Sequence, residues 1–244
     1  MTIMKQICDV PVELLSLIFK FLSRKDLLSV ILVCSQWKEL GEPSMFWKDF
    51  VVHREHVRII EDVLAIRRLR NLKTIKFNKL RLNNASDNAI VFNAIAQKQS
   101  VKELVIIGSD FSKVSPEVLG QCINNMERVH FVPHIWGTGM SHNQVDAIFT
   151  NMRRGTKLRR LNLRSNDLSR VDAKVMAECV NKLEEVDMWN TSLRNEQVEE
   201  ILLQINHKTT LKKLNLSGNY FAVLDVPLNL IENAKQIIPN FFYC

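Results

Sequence analysis

Glycine and proline are scarce in this 244-residue chain, with 7 and 6 copies. Long flexible linkers draw on those residues, so none is expected. Cysteine is thin as well: Cys8, Cys34, Cys122, Cys179 and Cys244. The number is odd and no two form a C-x-x-C pair, which speaks against a zinc ribbon and a secreted disulfide framework. The cytoplasm, the nucleus or both are the expected compartments, because both keep thiols reduced. No apolar run approaches about 18 residues, so no membrane span is expected. The run Leu14 to Leu22, with Lys5 upstream, imitates a secretion signal. Asp9 and Glu13 precede it, however, Lys20 interrupts it, and no small-residue cleavage site follows closely, so a cleaved leader is not expected.

Catalytic patterns are missing too. There is no Gly-rich phosphate loop and no G-x-S-x-G. His53 and His56 are too close for a zinc-protease helix, which needs histidines at i and i+4 around a glutamate. His130 and His134 are four apart but fall in and after a strand, where they share no helical face. Cys34 with some distant His is formally possible as a nucleophile, but its place within the motif described below favours packing. The chain is therefore read as non-catalytic, with neither metal nor cofactor.

What the sequence does have is apolar mass, since 46% of residues are hydrophobic and 24% charged. That is ordinary globular usage. The net charge of +7 permits an acidic partner without demanding one. Basic clusters stand at Arg67, Arg68, Arg70, Lys73, Lys76, Lys79 and Arg81, and at Arg153, Arg154, Lys157, Arg159, Arg160 and Arg164. A solvated face that steers an acidic partner is the favoured reading. Nuclear targeting or nucleic-acid contact is the alternative, but no aromatics are interleaved as a stacking platform requires.

Residues 9–50 read as three short helices. Pro11 suits a helix start and Glu13 the positive end of its dipole. Ser23 and Asp26 form a capping pair for the second helix, Gly41 can end it, and Pro43 can open the third. In the first helix Leu14, Leu15, Leu17, Ile18, Phe19, Phe21 and Leu22 point in nearly every direction. The second repeats the pattern from Leu27 to Trp37. A helix apolar all round must be buried all round. About forty residues cannot cover this surface alone, so the surplus must meet another protein or the rest of the chain.

The string Val10-Pro11-x-Glu13-Leu14-Leu15-x-x-Ile18-Phe19-x-x-Leu22, then Asp26-Leu27-Leu28, Val33-Cys34-x-x-Trp37 and Phe46-Trp47, resembles the F-box motif. Val10 departs conservatively from the leucine usual there. The resemblance implies docking onto the Skp-type adaptor of a cullin RING ubiquitin ligase. Pro11, Leu14, Leu15, Ile18, Leu22, Leu28, Val33 and Trp37 would lie in or directly beneath that interface. Spacing does not say which of them touch the partner and which touch each other.

The remainder is periodic. The pattern L-x-x-L-x-L-x-x-x-x-L begins at Leu72, Val101, Met126, Leu158, Leu183 and Leu211, with steps of 29, 25, 32, 25 and 28 residues. Each copy supplies a short strand with alternate residues inward. Between strands the period turns helical: Val145, Ile148, Phe149 and Met152, and likewise Val198, Ile201, Leu202 and Ile205, sit at i, i+3, i+4 and i+7. Cys122 and Cys179 share one place in the repeat, which favours buried structural thiols. The pattern resembles leucine-rich repeats of the long, helix-containing kind. Their usual Asn is present at Asn166 and Asn219, but replaced by Leu80, Ser109, His134 and Thr191.

The expected architecture is α/β: a three-helix F-box at 9–50, a linking helix at 51–71, about six repeats at 72–221 and a closing cap at 222–244. The repeats would form a curved solenoid with parallel strands on the concave face and helices on the convex one. The outward column of strand residues is Lys76, Val105, His130, Asn162, Asp187 and Asn215. The next outward position holds Asn78, Ile107, Val132, Arg164, Trp189 and Ser217. Val105, Ile107, Val132 and Trp189 are apolar where the repeat needs no core residue. Together with Arg128, His130, Arg160, Asn162, Arg164 and Asp187 they form the candidate target-binding set. The leading reading is substrate recruitment to a Skp-cullin-F-box type ubiquitin ligase, in the ubiquitin-conjugation pathway. The alternatives are a leucine-rich binding or inhibitor protein acting outside a ligase, and a basic nucleic-acid-binding protein.

Overall fold

The computed structural model describes residues 10–41, 46–52, 57, 60–65, 69–78, 85–109, 113–132, 140–219 and 226–243. Several expectations fall on residues outside these ranges: Pro43, the His53 and His56 pair, Arg67 and Arg68, and the loop containing His134 and Trp136. The chain divides into two compact units. One joins Met1–Lys48 with Ala65–Leu72, and the other joins Asp49–Leu64 with Lys73–Cys244.

The first unit carries α1 (Val12–Phe19), α2 (Arg24–Val30) and α3 (Ser35–Gly41). Pro11 caps α1, its carbonyl accepting from the Leu14 and Leu15 amides. Ser23 caps α2, as its spacing to Asp26 suggests: Ser23 Oγ accepts from the Asp26 amide at 3.2 Å. The expected second helix is in fact two. The run Val30 to Val33 is rich in β-branched residues, which lose rotamer freedom in a helix. The chain turns there and restarts with Cys34 Sγ accepting from the Trp37 amide at 3.5 Å. The three helices observed are therefore not the three expected. Both α1 and α2 pack on α3. The Trp37 ring meets Phe19 edge-on at 5.7 Å, and Trp47 Nε1 donates to the Gly41 carbonyl at 2.9 Å. A Cβ at Gly41 would stand 2.5 Å from Cγ2 of Ile31, so glycine is what lets α3 close on that turn.

The second unit is a single eight-stranded parallel sheet whose strand order follows the chain. Its strands are β1 (Asp49–Val52), β2 (Thr74–Asn78), β3 (Glu103–Ile107), β4 (Arg128–Val132), β5 (Arg160–Asn162), β6 (Glu185–Asp187), β7 (Lys213–Asn215) and β8 (Asn240–Phe242). Helices alternate with them: α4 (Ile60–Ala65), α5 (Ala85–Gln97), α6 (Pro116–Ile123), α7 (His142–Arg154), α8 (Ala173–Val180), α9 (Asn195–Leu203) and α10 (Leu228–Ile237). Consecutive helices from α5 to α10 pack side by side. This alternation is consistent with a solenoid-like repeat.

The sheet runs past both ends of the six motif copies. The strand Asp49–Val52 runs into the segment 51–71 that was expected to be a linking helix, and among the described residues of that segment Ile60–Ala65 is α-helix. At the other end the Leu216 amide donates to the Phe242 carbonyl, so the apolar tail joins the sheet as β8.

The core is built as the periodicity demands. Ile75, Leu104, Val129, Leu161, Val186 and Leu214 pair in register along one buried column. The helix stripe Val145, Ile148, Phe149 and Met152 is buried, as are Val198, Ile201 and Leu202 of α9 and Ile205, which lies just past the end of that helix. Buried side chains of this kind, at roughly 1.5–3 kcal/mol each, are what hold one repeat to the next. Buried polar ties add direction. Asn219 Nδ2 donates to the Met188 and Leu216 carbonyls, and its Oδ1 accepts from the Thr191 and Leu193 amides. Asn166 likewise donates to the Phe131 and Leu163 carbonyls and accepts from the Met140 amide. Where Asn is replaced, Thr191 and Ser109 turn their hydroxyls onto the carbonyls of Met188 and Ile107. Cys122 and Cys179 are buried, and desolvation pushes their thiols up to about 12 and about 11.

Candidate functional site

Two surfaces have the character of binding sites, one on each unit. On the first, burial of α1 is one-sided although its apolar residues run all round it. Leu15 and Phe19 are buried, whereas Val12, Leu14, Leu17 and Ile18 are each 43–51% exposed. Phe21 reaches 88% and Leu32 83%, and Val33 is 56% exposed. Isolated exposed apolar residues are normal, but this many on one small helical unit are not. Of the residues singled out from the motif, Pro11, Leu14, Ile18 and Val33 are exposed, and Leu22 and Trp37 are half-buried. Leu15 is in the core, and the side chain of Leu28 lies outside the described residues. Exposed Leu17, Phe21 and Leu32 were not singled out as contacts, because spacing cannot say which side of an all-apolar helix is covered.

The second surface is the sheet face opposite its buried columns. Lys76, Val105, His130, Asn162, Asp187 and Asn215 pair successively across β2 to β7 and are all half-buried. The strand pattern therefore brings the expected outward column together. Part of it serves the backbone: Asn162, Asp187 and Asn215 each accept through Oδ1 from the amide two residues on, at 3.1 Å. Short side chains of this kind stabilise a turn.

Those amides belong to Arg164, Trp189 and Ser217, which lie just past the ends of β5, β6 and β7 and not within strands. The residues that follow, Ser165, Asn190 and Gly218, have φ of 58°, 53° and 71°. Gly108, after Ile107, repeats this at 59°. The left-handed residue turns the chain off the sheet and leaves its predecessor on the rim. Ile107 is 46% and Trp189 37% exposed, while Val105 and Val132 are half-buried. The Arg164 guanidinium stands over the Trp189 ring, and a Cβ at Gly218 would meet Trp189 Nε1 at 2.9 Å.

Arg128, Arg160, Glu103, Glu185, His130 and Asp187 help line a cleft of about 240 Å³ on this face. Arg160 Nε meets Glu185 at 3.1 Å, and His130 Nε2 meets Glu103 at 3.5 Å. Burial lowers the His130 pKa below the usual histidine value; Glu103 opposes the shift, and Arg128 and Arg160 reinforce it.

Among the described residues no helix is long and apolar enough to cross a membrane. The two surfaces define a chain with a small apolar helical unit and a parallel strand–helix repeat unit. Residues 7–53 match the family described as F-box-like, which places an F-box-like domain at the N-terminal end. That match covers the helical unit's exposed apolar face. No curated protein matches the chain.

Proposed function

We propose that this chain is the substrate-recognition subunit of a Skp-cullin-F-box type ubiquitin ligase. The F-box-like domain docks the Skp-type adaptor, and the strand face of the repeat unit holds the target protein. The observation that carries this reading is the exposed apolar set Leu14, Leu17, Ile18, Phe21, Leu32 and Val33 inside the F-box-like match. Water is a poor neighbour for such a surface, and a partner that covers it removes the penalty. The chain itself supplies no chemistry. It raises the local concentration of a target lysine near a charged carrier, so its contribution to rate is proximity. Work in the cytoplasm or nucleus follows from that partnership.

Pull-down with purified Skp-type adaptor tests the reading. Leu14→Glu with Ile18→Glu changes exposed side chains and leaves the unit folded, and adaptor capture should be lost. Undiminished capture by the folded double variant overturns it. The second reading, a leucine-rich binding protein acting outside a ligase, is favoured by the polar, ordered strand face alone. It would gain if the wild-type chain failed to capture the adaptor yet still recovered a target.

A further inference from the structure

Two rows of charge run across the strands of the repeat unit, and they are built differently. The first lies at the entry to the strands. Lys102, Glu127, Arg159, Glu184 and Lys212 follow one another through backbone hydrogen bonds from each residue to the next. Their signs alternate from Lys102 onward, although Lys73, whose carbonyl accepts from the Lys102 amide, stands before it with the same sign. Glu184 bonds both neighbours, Arg159 at 3.1 Å and Lys212 at 3.2 Å, and those bonds hold its carboxyl below the usual value. That carboxylate is met from both sides within the row and asks nothing of a partner.

The second row lies one residue further on, on the strand face: Glu103, Arg128, Arg160, Glu185 and Lys213, paired in register from β3 to β7. Here the alternation breaks. Arg128 and Arg160 are direct cross-strand partners, an arrangement that destabilises a sheet when nothing lies between the charges. Arg160 engages Glu185 through Nε only in the contacts described, and a guanidinium carries five donors. Arg128 makes no ion pair among the described residues. It stands where the cleft of about 240 Å³ meets a second of about 330 Å³ that begins at Lys73 and Thr74. His130 follows Arg128 two residues along the same face of β4, pointing into the first cleft.

Resting on the reading that the strand face holds the target, we propose that Arg128, His130 and Arg160 form a seat for one anionic group of that target, a carboxylate or a phosphoryl group. Planar guanidiniums side by side are suited to either, through paired charge-assisted hydrogen bonds. Glu103 and Glu185 flank the seat, exclude a second anion and hold the cations in place, so the seat takes a single negative group and not an acidic run. Burial is the main cause of the lowered His130 pKa and the two arginines add to it, so an anion between them offsets their share and favours the charged imidazole. The imidazole then gains a proton and becomes a third donor. The charged groups facing it are Arg128 on its own strand, Glu103 on β3, Arg160 on β5 and Glu185 on β6.

The test uses the full chain and three capped tripeptides centred on phosphoserine, glutamate and serine, followed through the His130 imidazole resonances. The expected result is a saturable shift with at least one anionic peptide, none with the serine peptide, and a higher His130 pKa in the bound state. A response to phosphoserine alone assigns the phosphoryl group, and a response to both assigns any carboxylate-sized anion. Arg128→Gln should weaken the response roughly tenfold, the scale of one charged hydrogen bond. Unchanged His142 and His207 resonances verify that the variant is folded. No His130 response to either anionic peptide overturns the proposal, as does a response equal in wild type and in the Arg128→Gln, Arg160→Gln double variant. Because no captured target enters this measurement, it fails or succeeds apart from the recruitment reading.

Discussion

Arg164 places its guanidinium 4.8 Å from the centre of the Trp189 ring, across the boundary between two adjacent repeats. The pair leaves Trp189 more than a third exposed, on a surface with no need of an aromatic. Trp189→Ala should therefore cost little stability, about 1 kcal/mol for an exposed cation–π contact and some packing. It should lower target recovery tenfold or more, as an aromatic anchor does. Ile107→Asp should act the same way from the neighbouring part of the rim. Both variants should capture adaptor normally. Equal recovery of the same co-purifying target by both variants would move the recognition surface off this face.

Asn219 supports four backbone groups from a buried position. Asn219→Ala leaves the Thr191 and Leu193 amides and the Met188 and Leu216 carbonyls short of partners. Unsatisfied buried groups cost about 1–3 kcal/mol each, and relaxation recovers some of that. A loss of roughly 3–5 kcal/mol is expected, read as a lower urea midpoint. A loss below about 1 kcal/mol would mean water replaces the side chain.

Asn88 occupies, in α5, the position that Val145 and Val198 hold in α7 and α9. Val91, Phe92 and Ile95 follow it at the same spacing, and all three are buried. Among the described residues neither Asn88 Oδ1 nor Nδ2 has a hydrogen-bond partner. Asn88→Val should thus raise stability by about 1–2 kcal/mol, since an apolar side chain of similar size has no polar group to strand. Thermal melting of the two proteins decides the sign.

His130 gives the fold a signed response to pH. Burial lowers its pKa in the folded chain, against Glu103 and with the help of Arg128 and Arg160, so the fold favours neutral imidazole. Its contribution is complete above the ordinary histidine value of 6.5 and is lost as pH falls through that value towards the depressed one. Urea midpoints measured at pH 7.5 and 5.5 should fall further for wild type than for His130→Gln. Identical falls would place the acid sensitivity in other groups.

Much of the strand face is legible in sequence because its period is 2 and its register is pinned by buried leucines. Leu104, Val129 and Leu161 must face inward, so the spacing alone sets Val105, His130 and Asn162 side by side on the other face. Helix stripes such as Val198, Ile201, Leu202 and Ile205 are legible for the same reason. β1 and β8 are not, since Asp49–Val52 and Asn240–Phe242 pair with neighbours without carrying the full repeat motif. The break between α2 and α3 hides because Val30 to Val33 look like helix core when only hydrophobicity is read. The exposed face of α1 hides because a helix apolar on every side gives no direction. Arg128, His130 and Arg160 are already in the candidate set read from the repeat, but that the two arginines are direct cross-strand partners shows only when the strands are paired.

Strand order that follows chain order makes the sheet a ruler. Neighbouring strands lie about 4.8 Å apart, so each added repeat lengthens the face by that amount and disturbs only the joint at which it enters. Val105 and Asn215 are separated by four such steps, or about 19 Å, near the length of six extended residues. Duplicating the unit between β5 and β6 would carry Trp189 one graduation further from Ile107 while the chemistry at both ends stayed the same. A target that spans the two would then be selected by its length.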